Sequence, residues 1–317
     1  MNSLFKKADT FLFDYHFIKP FAFLRIATAF LCLIFFACIA NDIQNAIGIN
    51  GFTGREITQA IINEKFIPHI SWLANPLINA GYSDEKALTI IMSVYVVAML
   101  FMLIGLFTRL SVFIVWLIHL MICYSNQFFF NYGVDSFITI TLFYCLIMPV
   151  NKYWSLDNIL FKKIQKELNN IYESFIMRVL QVHICIVYFF EGLIKMIIPG
   201  WFSGKNTWQI LMLPRFSVID FSFLAYHPLL LTILGWAIVL VELLYPLMMC
   251  FSKTRKPWLI AIILMHVFIA AFMKIPFFGF IMIILNIAAF GWNDFYPFVS
   301  NLYNRFVLRL QPIFKHS

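Results

Sequence analysis

Charge is what this sequence has least of. Only 12% of its 317 residues are charged, while 62% are hydrophobic; soluble domains carry about 25% charged residues. That balance excludes water-soluble, disordered, fibrous and disulfide-stapled chains and favours an integral membrane protein. The motifs of common soluble enzymes are also missing. There is no GxSxG, P-loop, HExxH or dinucleotide fingerprint, and Gly48 and Gly51 are too sparse to cradle a phosphate. The six cysteines form no CxxC pair and stand near no histidine cluster, so neither a disulfide nor a metal site is expected. No small-residue cleavage site follows the first apolar run, which therefore reads as a span and not a removable leader. Inverted repeats are absent too, which counts against a transporter.

What the sequence does contain is apolar stretches of spanning length. A membrane helix needs about 20 such residues, and eight candidates fit: 21–40, 87–107, 110–129, 134–150, 175–198, 228–251, 258–275 and 277–292. The expected fold is an all-α polytopic bundle of eight transmembrane helices. Pro20 suits the start of the first. Ser83 is an expected N-cap for the second, with Asp84 and Glu85 favoured at its positive end. The last two candidates are short and joined tightly at Pro276.

The net charge is +8, and most of the excess lies between the spans. With the N-terminus inside, inner segments hold thirteen Lys or Arg and outer segments six. The positive-inside rule then puts both termini in the cytoplasm. The basic residues are thus matched to membrane lipid, and no nucleic-acid partner is expected.

Around the bundle (residues 21–292), the expected organisation is a cytoplasmic N-terminal segment at 1–20, long outer segments at 41–86 and 199–227, an inner amphipathic segment at 151–174 and an amphipathic cytoplasmic tail at 293–317. The first outer segment contains Thr53-Gly54-Arg55-Glu56, a capping-box pattern, followed by Ile57, Ala60 and Ile61 at helical spacing. Connections this long usually pack on the bundle or shape a site.

Ionisable groups within a span cost roughly 2.5–3.5 kcal/mol each and often mark function. The fifth span is the outlier, with Arg178, Gln181, His183, Glu191 and Lys195. Glu191 and Lys195 are four residues apart, on one helical face and in the better order for an ion pair. His183 lies two turns before Glu191 and is rotated by about 80°. One reading is a pair that fixes helix packing; the other is a reactive amine tuned by a carboxylate. Glu242 in the sixth span and His266 in the seventh are further cavity candidates, while His119 and Arg25 are weaker ones.

Three stretches, taken together, resemble the HTTM family, the membrane domain related to vitamin K-dependent gamma-carboxylase. The first is Asn131-Tyr132-Gly133-Val134-Asp135, with Tyr153-Trp154-Ser155-Leu156-Asp157 beyond the next span. The second is Tyr188, then Gly192-Leu193-Ile194-Lys195, then Trp201 and Gly204. The third is His266. The resemblance implies that Lys195 is the base that deprotonates a vitamin K-like hydroquinone, and the charged face of the fifth span makes Glu191 its expected tuning partner. His183, Tyr188, Trp201, Glu242 and His266 are then the cavity candidates. The carboxylase's histidine before its fourth-span equivalent has no counterpart in Asn131–Val134.

Two functions follow as expectations. One is a quinone-dependent enzyme, with carboxylase-like chemistry coupled to quinol oxygenation, or a maturation factor, acting on a secreted peptide at a bacterial cytoplasmic membrane. The other is a non-enzymatic chaperone, immunity or assembly protein for such a peptide, using the outer segments and residues such as Arg55, Trp201 and Trp208.

Overall fold

The computed structural model describes residues 19–55, 57–58, 67–126, 129–130, 132–161, 170–297 and 300. Among these the chain is helical throughout its regular structure, with no strand. Among the described residues six helical segments are long and apolar enough to cross a membrane, and two shorter apolar helices, Gly133–Ile147 and Pro228–Leu243, lie where the fourth and sixth spans were expected. The chain is an all-α polytopic membrane protein.

The helices follow local signals. α1 (Lys19–Ile39) runs through a short 3-10 turn into α2 (Ile43–Ile47). α3 (Ser71–Asn79) lies in the first long connection. α4 (Asp84–Ile104) is capped by Ser83, whose hydroxyl accepts from the Lys86 N–H, and it ends at Gly105 in the left-handed region (φ 72°). α5 (Thr108–Ser125) and α6 (Gly133–Ile147) follow, then the short α7 (Leu156–Leu160). α8 (Asn170–Ile197) is the long charged helix. Beyond it come α9 (Lys205–Met212), α10 (Pro228–Leu243), α11 (Tyr245–Cys250), α12 (Ser252–Phe272) and α13 (Pro276–Asn286).

Three expectations are refined. The sixth span breaks at Leu244, because Pro246 has no N–H for the carbonyl of Glu242 and its ring crowds that carbonyl. The seventh starts at Ser252, and the eighth continues past α13 through a π-helical turn (Ile287–Gly291) to Pro297, so both reach spanning length. Among the described residues of the inner segment, Leu156–Leu160 form a helix and Asn170–Ser174 already belong to α8. Glu56, Ala60 and Ile61, residues 162–169, Asn131 and the tail from residue 301 lie outside the described residues.

The chain divides into two compact units: Met1–Ile176 with Ile275–Ile284, and Met177–Lys274 with Leu285–Ser317. In the first, α1 packs on α4 and α6, α4 on α5, and α5 on α6. Leu24, Leu88, Met99, Val112, Ile138 and Leu142 fill its core. A buried guanidinium joins the ends of these helices. Arg25 donates to the carbonyls of Met102 (2.6 Å), Leu103 (3.0 Å), Val150 (3.2 Å) and Trp154 (2.5 Å).

The first long connection is tied to the helix ends by side chains. Arg55 donates to the Ile47 carbonyl and pairs with Asp84 at 2.9 Å. Asn126 donates to the Ala46 carbonyl at 2.6 Å, and Ser125 accepts from the Ile70 N–H at 2.8 Å. His69 is buried beside Ser71. Burial and the nearby Arg55 charge push the His69 imidazole down to about 4, from about 6.5 in an unfolded chain. The unfolded state therefore binds the extra proton first. This stabilisation is complete above about pH 6.5 and is lost as pH falls towards 4. Melting of the detergent-solubilised protein is expected to drop across that window, and His69→Gln is expected to flatten the drop. An unchanged slope would remove His69 as its source.

In the second unit, α10 packs against α9, α11 and α12. Leu211, Phe221, Leu224 and Leu231 form a cluster beneath the second long connection, with Trp208 and Met212 against it.

Candidate functional site

α8 places Tyr188, Glu191 and Lys195 on one stripe, at i, i+3 and i+7. The stripe meets α10 where Gly192 removes a side chain. A Cβ built there would lie 2.4 Å from the Leu243 backbone nitrogen. Only glycine allows this approach, and Glu242 is the neighbouring residue. The Gly-x-x-Lys spacing therefore has a steric reason: the glycine lets the helices touch, and the lysine one turn on reaches the facing carboxylate.

Lys195 Nζ lies 3.0 Å from Glu191 Oε2 and 2.7 Å from Glu242 Oε2. The two carboxylates differ sharply, since Glu191 is 57% exposed and Glu242 only 8%. The Trp201 ring centroid is 5.7 Å from the same nitrogen, within cation–π range. Trp201 is held in turn by Gly235, where a Cβ would strike the Trp201 carbonyl at 2.1 Å. One cation thus bridges a wet carboxylate and a dry one, at the point where Pro246 interrupts the sixth span.

A second polar group is buried nearby in the chain. Tyr188 Oη lies 2.7 Å from His266 Nε2 and accepts from Asn286 Nδ2 at 2.7 Å. Tyr245 donates to Asn286 Oδ1 at 2.6 Å, and its ring stacks 4.3 Å from that of Tyr188. Asn286 therefore donates to the same phenol oxygen that shares a hydrogen bond with His266, the direction of which is set by the imidazole tautomer. Gln181 donates to the Ala289 carbonyl inside the π-helical turn, whose wider hydrogen-bond pattern interrupts the α-helical ladder.

The structure brings Lys195, Glu191, Glu242 and Trp201 together and joins Tyr188 to His266. His183 is half-buried on α8 and is not among the polar partners of Lys195. Asn286 and Tyr245 were not singled out as site residues. The available signals were an amide inside an apolar span and a tyrosine one turn from Glu242. His119 is buried in the first unit, where Nδ1 meets Tyr95 Oη at 3.1 Å. Arg55 and Trp201 are buried, so changing either would act through folding before it altered a binding surface.

The other motif stretches hold the first unit together. Asp157 accepts from the Phe107 and Thr108 N–H groups, each at 2.7 Å, and so caps α5. Ser155 accepts from the Asn158 N–H, and the Trp154 carbonyl serves Arg25. The Asp135 carboxylate accepts from the Tyr132 N–H at the start of α6.

These features define a multi-pass α-helical membrane protein with a charged triad at a broken helix. The family model described as HTTM domain matches residues 53–293, and the chain belongs to that family. That range includes both halves of the Lys195 triad and the Trp154–Asp157 clamp. Comparison with curated proteins and with solved structures gives no match.

Proposed function

We propose that this protein is a membrane enzyme that matures a secreted peptide, with Lys195 as the base at a lipid-accessible quinol site. The observation that carries the reading is the Lys195 amine held between Glu191 and Glu242 on the Gly-x-x-Lys stretch. Both termini lie in the cytoplasm in this reading, as the charge count favours, which sets Lys195 near the outer boundary of a bacterial cytoplasmic membrane.

Paired with two carboxylates, Lys195 rests as an ammonium. It becomes a base by passing its proton to Glu242, which converts an ion pair into a neutral amine and a neutral acid. Exclusion of water by an apolar ring favours that exchange, because buried charges lose their hydration. Glu191, on the exposed side, exchanges the proton with water. The donor set suits a phenolic oxygen: an amine to take its proton, a buried carboxylate to share it, and an indole face beside them. When bound, a hydroquinone supplies the oxygen-dependent strong base needed to remove a peptide γ-proton. Tyr188 and His266 fix the α8 stripe from below.

The test is the mass of a secreted peptide encoded beside this protein, in cells carrying wild type, Lys195→Ala or Lys195→Arg. Compared at equal amounts of protein in the membrane, both variants are expected to lose modification by at least about a hundredfold, the scale of a lost general base. Full modification with either one removes Lys195 from the chemistry.

A further inference from the structure

In the first unit a groove of about 470 Å³ runs between α1 with its C-terminal extension and α4. That volume falls within the range of about 300–1,000 Å³ typical of ligand sites. Its polarity is graded along the helix. Gln44, Glu85 and Thr89 stand at the end where α4 begins, and Phe36, Leu88 and Met92 line the deeper part.

Two features distinguish it from an ordinary crevice. Glu85, Thr89 and Ser93 follow one another at i, i+4 and i+8, so they form one stripe of α4. All three are exposed, on a helix whose other exposed positions beyond the first turn are apolar residues such as Ile90, Val94 and Leu100. The Thr89 and Ser93 hydroxyls donate to the carbonyls of Glu85 and Thr89, at 2.8 and 2.7 Å, and keep their lone pairs free to accept. The second feature is the contrast between adjacent acids. Asp84 is satisfied by Arg55, Gln44 and the Ile49 N–H. Among the described residues the Glu85 carboxylate makes no hydrogen bond or ion pair. A first-turn acid is favoured by the helix end wherever it points. Here it faces a groove that contains acceptors and no basic side chain.

We propose that this groove binds a phospholipid with a primary-ammonium headgroup. The ammonium meets Glu85, with the Gln44 and Thr89 oxygens as further acceptors, and one acyl chain lies along Leu88 and Met92. The polar end coincides with the start of the span Asp84–Ile104, which is where a headgroup sits while its chain points inward. The ligand needs three donors and a long apolar chain, and this headgroup class has both. Bulk lipid with a quaternary headgroup has no N–H to donate to Glu85, and an anionic headgroup such as phosphatidylglycerol offers only neutral hydroxyls beside a net negative charge that the carboxylate repels. The site is independent of the Lys195 chemistry.

The full-length protein is purified in detergent, incubated with an equal mixture of phosphatidylethanolamine and phosphatidylglycerol, and its retained lipid quantified by native mass spectrometry. Wild type is expected to retain the ethanolamine lipid about tenfold over the glycerol lipid, a difference of about 1.4 kcal/mol. Glu85→Gln is expected to abolish the preference, and Met92→Trp to lower retention of both lipids by filling the groove. Thr89→Val, which keeps the shape, should weaken the preference. Equal retention of the two lipids by wild type overturns the proposal, as does an unchanged preference in Glu85→Gln. So does disulfide-linked dimer formation by Val97→Cys in the membrane, which would make the stripe a helix–helix contact.

Discussion

Replacing Glu242 with leucine is expected to lower stability by about 3–5 kcal/mol, the cost of leaving a largely buried charge without its partner. Lys195 is the charge left behind. Its remaining partner, Glu191, is mostly exposed, and such a pair contributes only about 0.3–0.5 kcal/mol. Glu191→Gln should therefore change stability by no more than that amount. The double variant Lys195→Met with Glu242→Leu should recover most of what Glu242→Leu loses, since well-packed apolar residues often replace a buried pair at little cost. Denaturant titration of the four proteins in mixed micelles measures each step. If the double variant is as unstable as the single one, the 2.7 Å contact is not the source of the loss. The series also separates the two readings of the pair. A purely structural pair predicts function restored along with stability, whereas a base at Lys195 predicts a stable double variant that modifies nothing.

The second large effect lies in the other unit. Arg25→Lys is expected to cost about 3 kcal/mol or more and to reduce the amount of protein in the membrane severely. Arg25 is 0% exposed and serves four carbonyls from two separate stretches of chain. Lysine offers a single point charge and lacks the planar fork that spans these acceptors. Each buried carbonyl left without a donor costs about 1–3 kcal/mol. Gly105→Ala should act on the same clamp. Its φ of 72° disfavours a side chain, and the added methyl would lie 2.4 Å from Ser155 Cβ and 2.6 Å from Arg25 Nη1. Thermal melting of the solubilised protein, with membrane abundance as a second readout, tests both changes. An Arg25→Lys protein that melts within two degrees of wild type would show that the clamp is dispensable.

Both effects depend on partners distant in the chain, and this separates what was legible from what was not. The spans could be read locally because a helix satisfies its own backbone, and lipid requires about 20 apolar residues of it. The Ser83 cap and the Glu191–Lys195 pair are equally local, set by spacings of three or four residues. Glu242 was recognised as out of place, but its 47-residue separation from Lys195 concealed the pairing. Asn286 and Tyr245 escaped notice as site residues because their roles appear only beside Tyr188. The Trp154–Asp157 stretch was read as a family signature, and its work of capping α5 and anchoring Arg25 was invisible.

The sequence by itself determined the all-helical class, the positions of the eight apolar helices and the family, because hydropathy and helical periodicity act along the chain. Only the tertiary structure decided which helices touch and which polar groups share a partner. Lipid tails and helix faces are alike apolar, so lateral packing takes little direction from hydrophobicity. It is set by close approaches such as Gly192 on Leu243 and by buried polar groups that find a partner across the bundle.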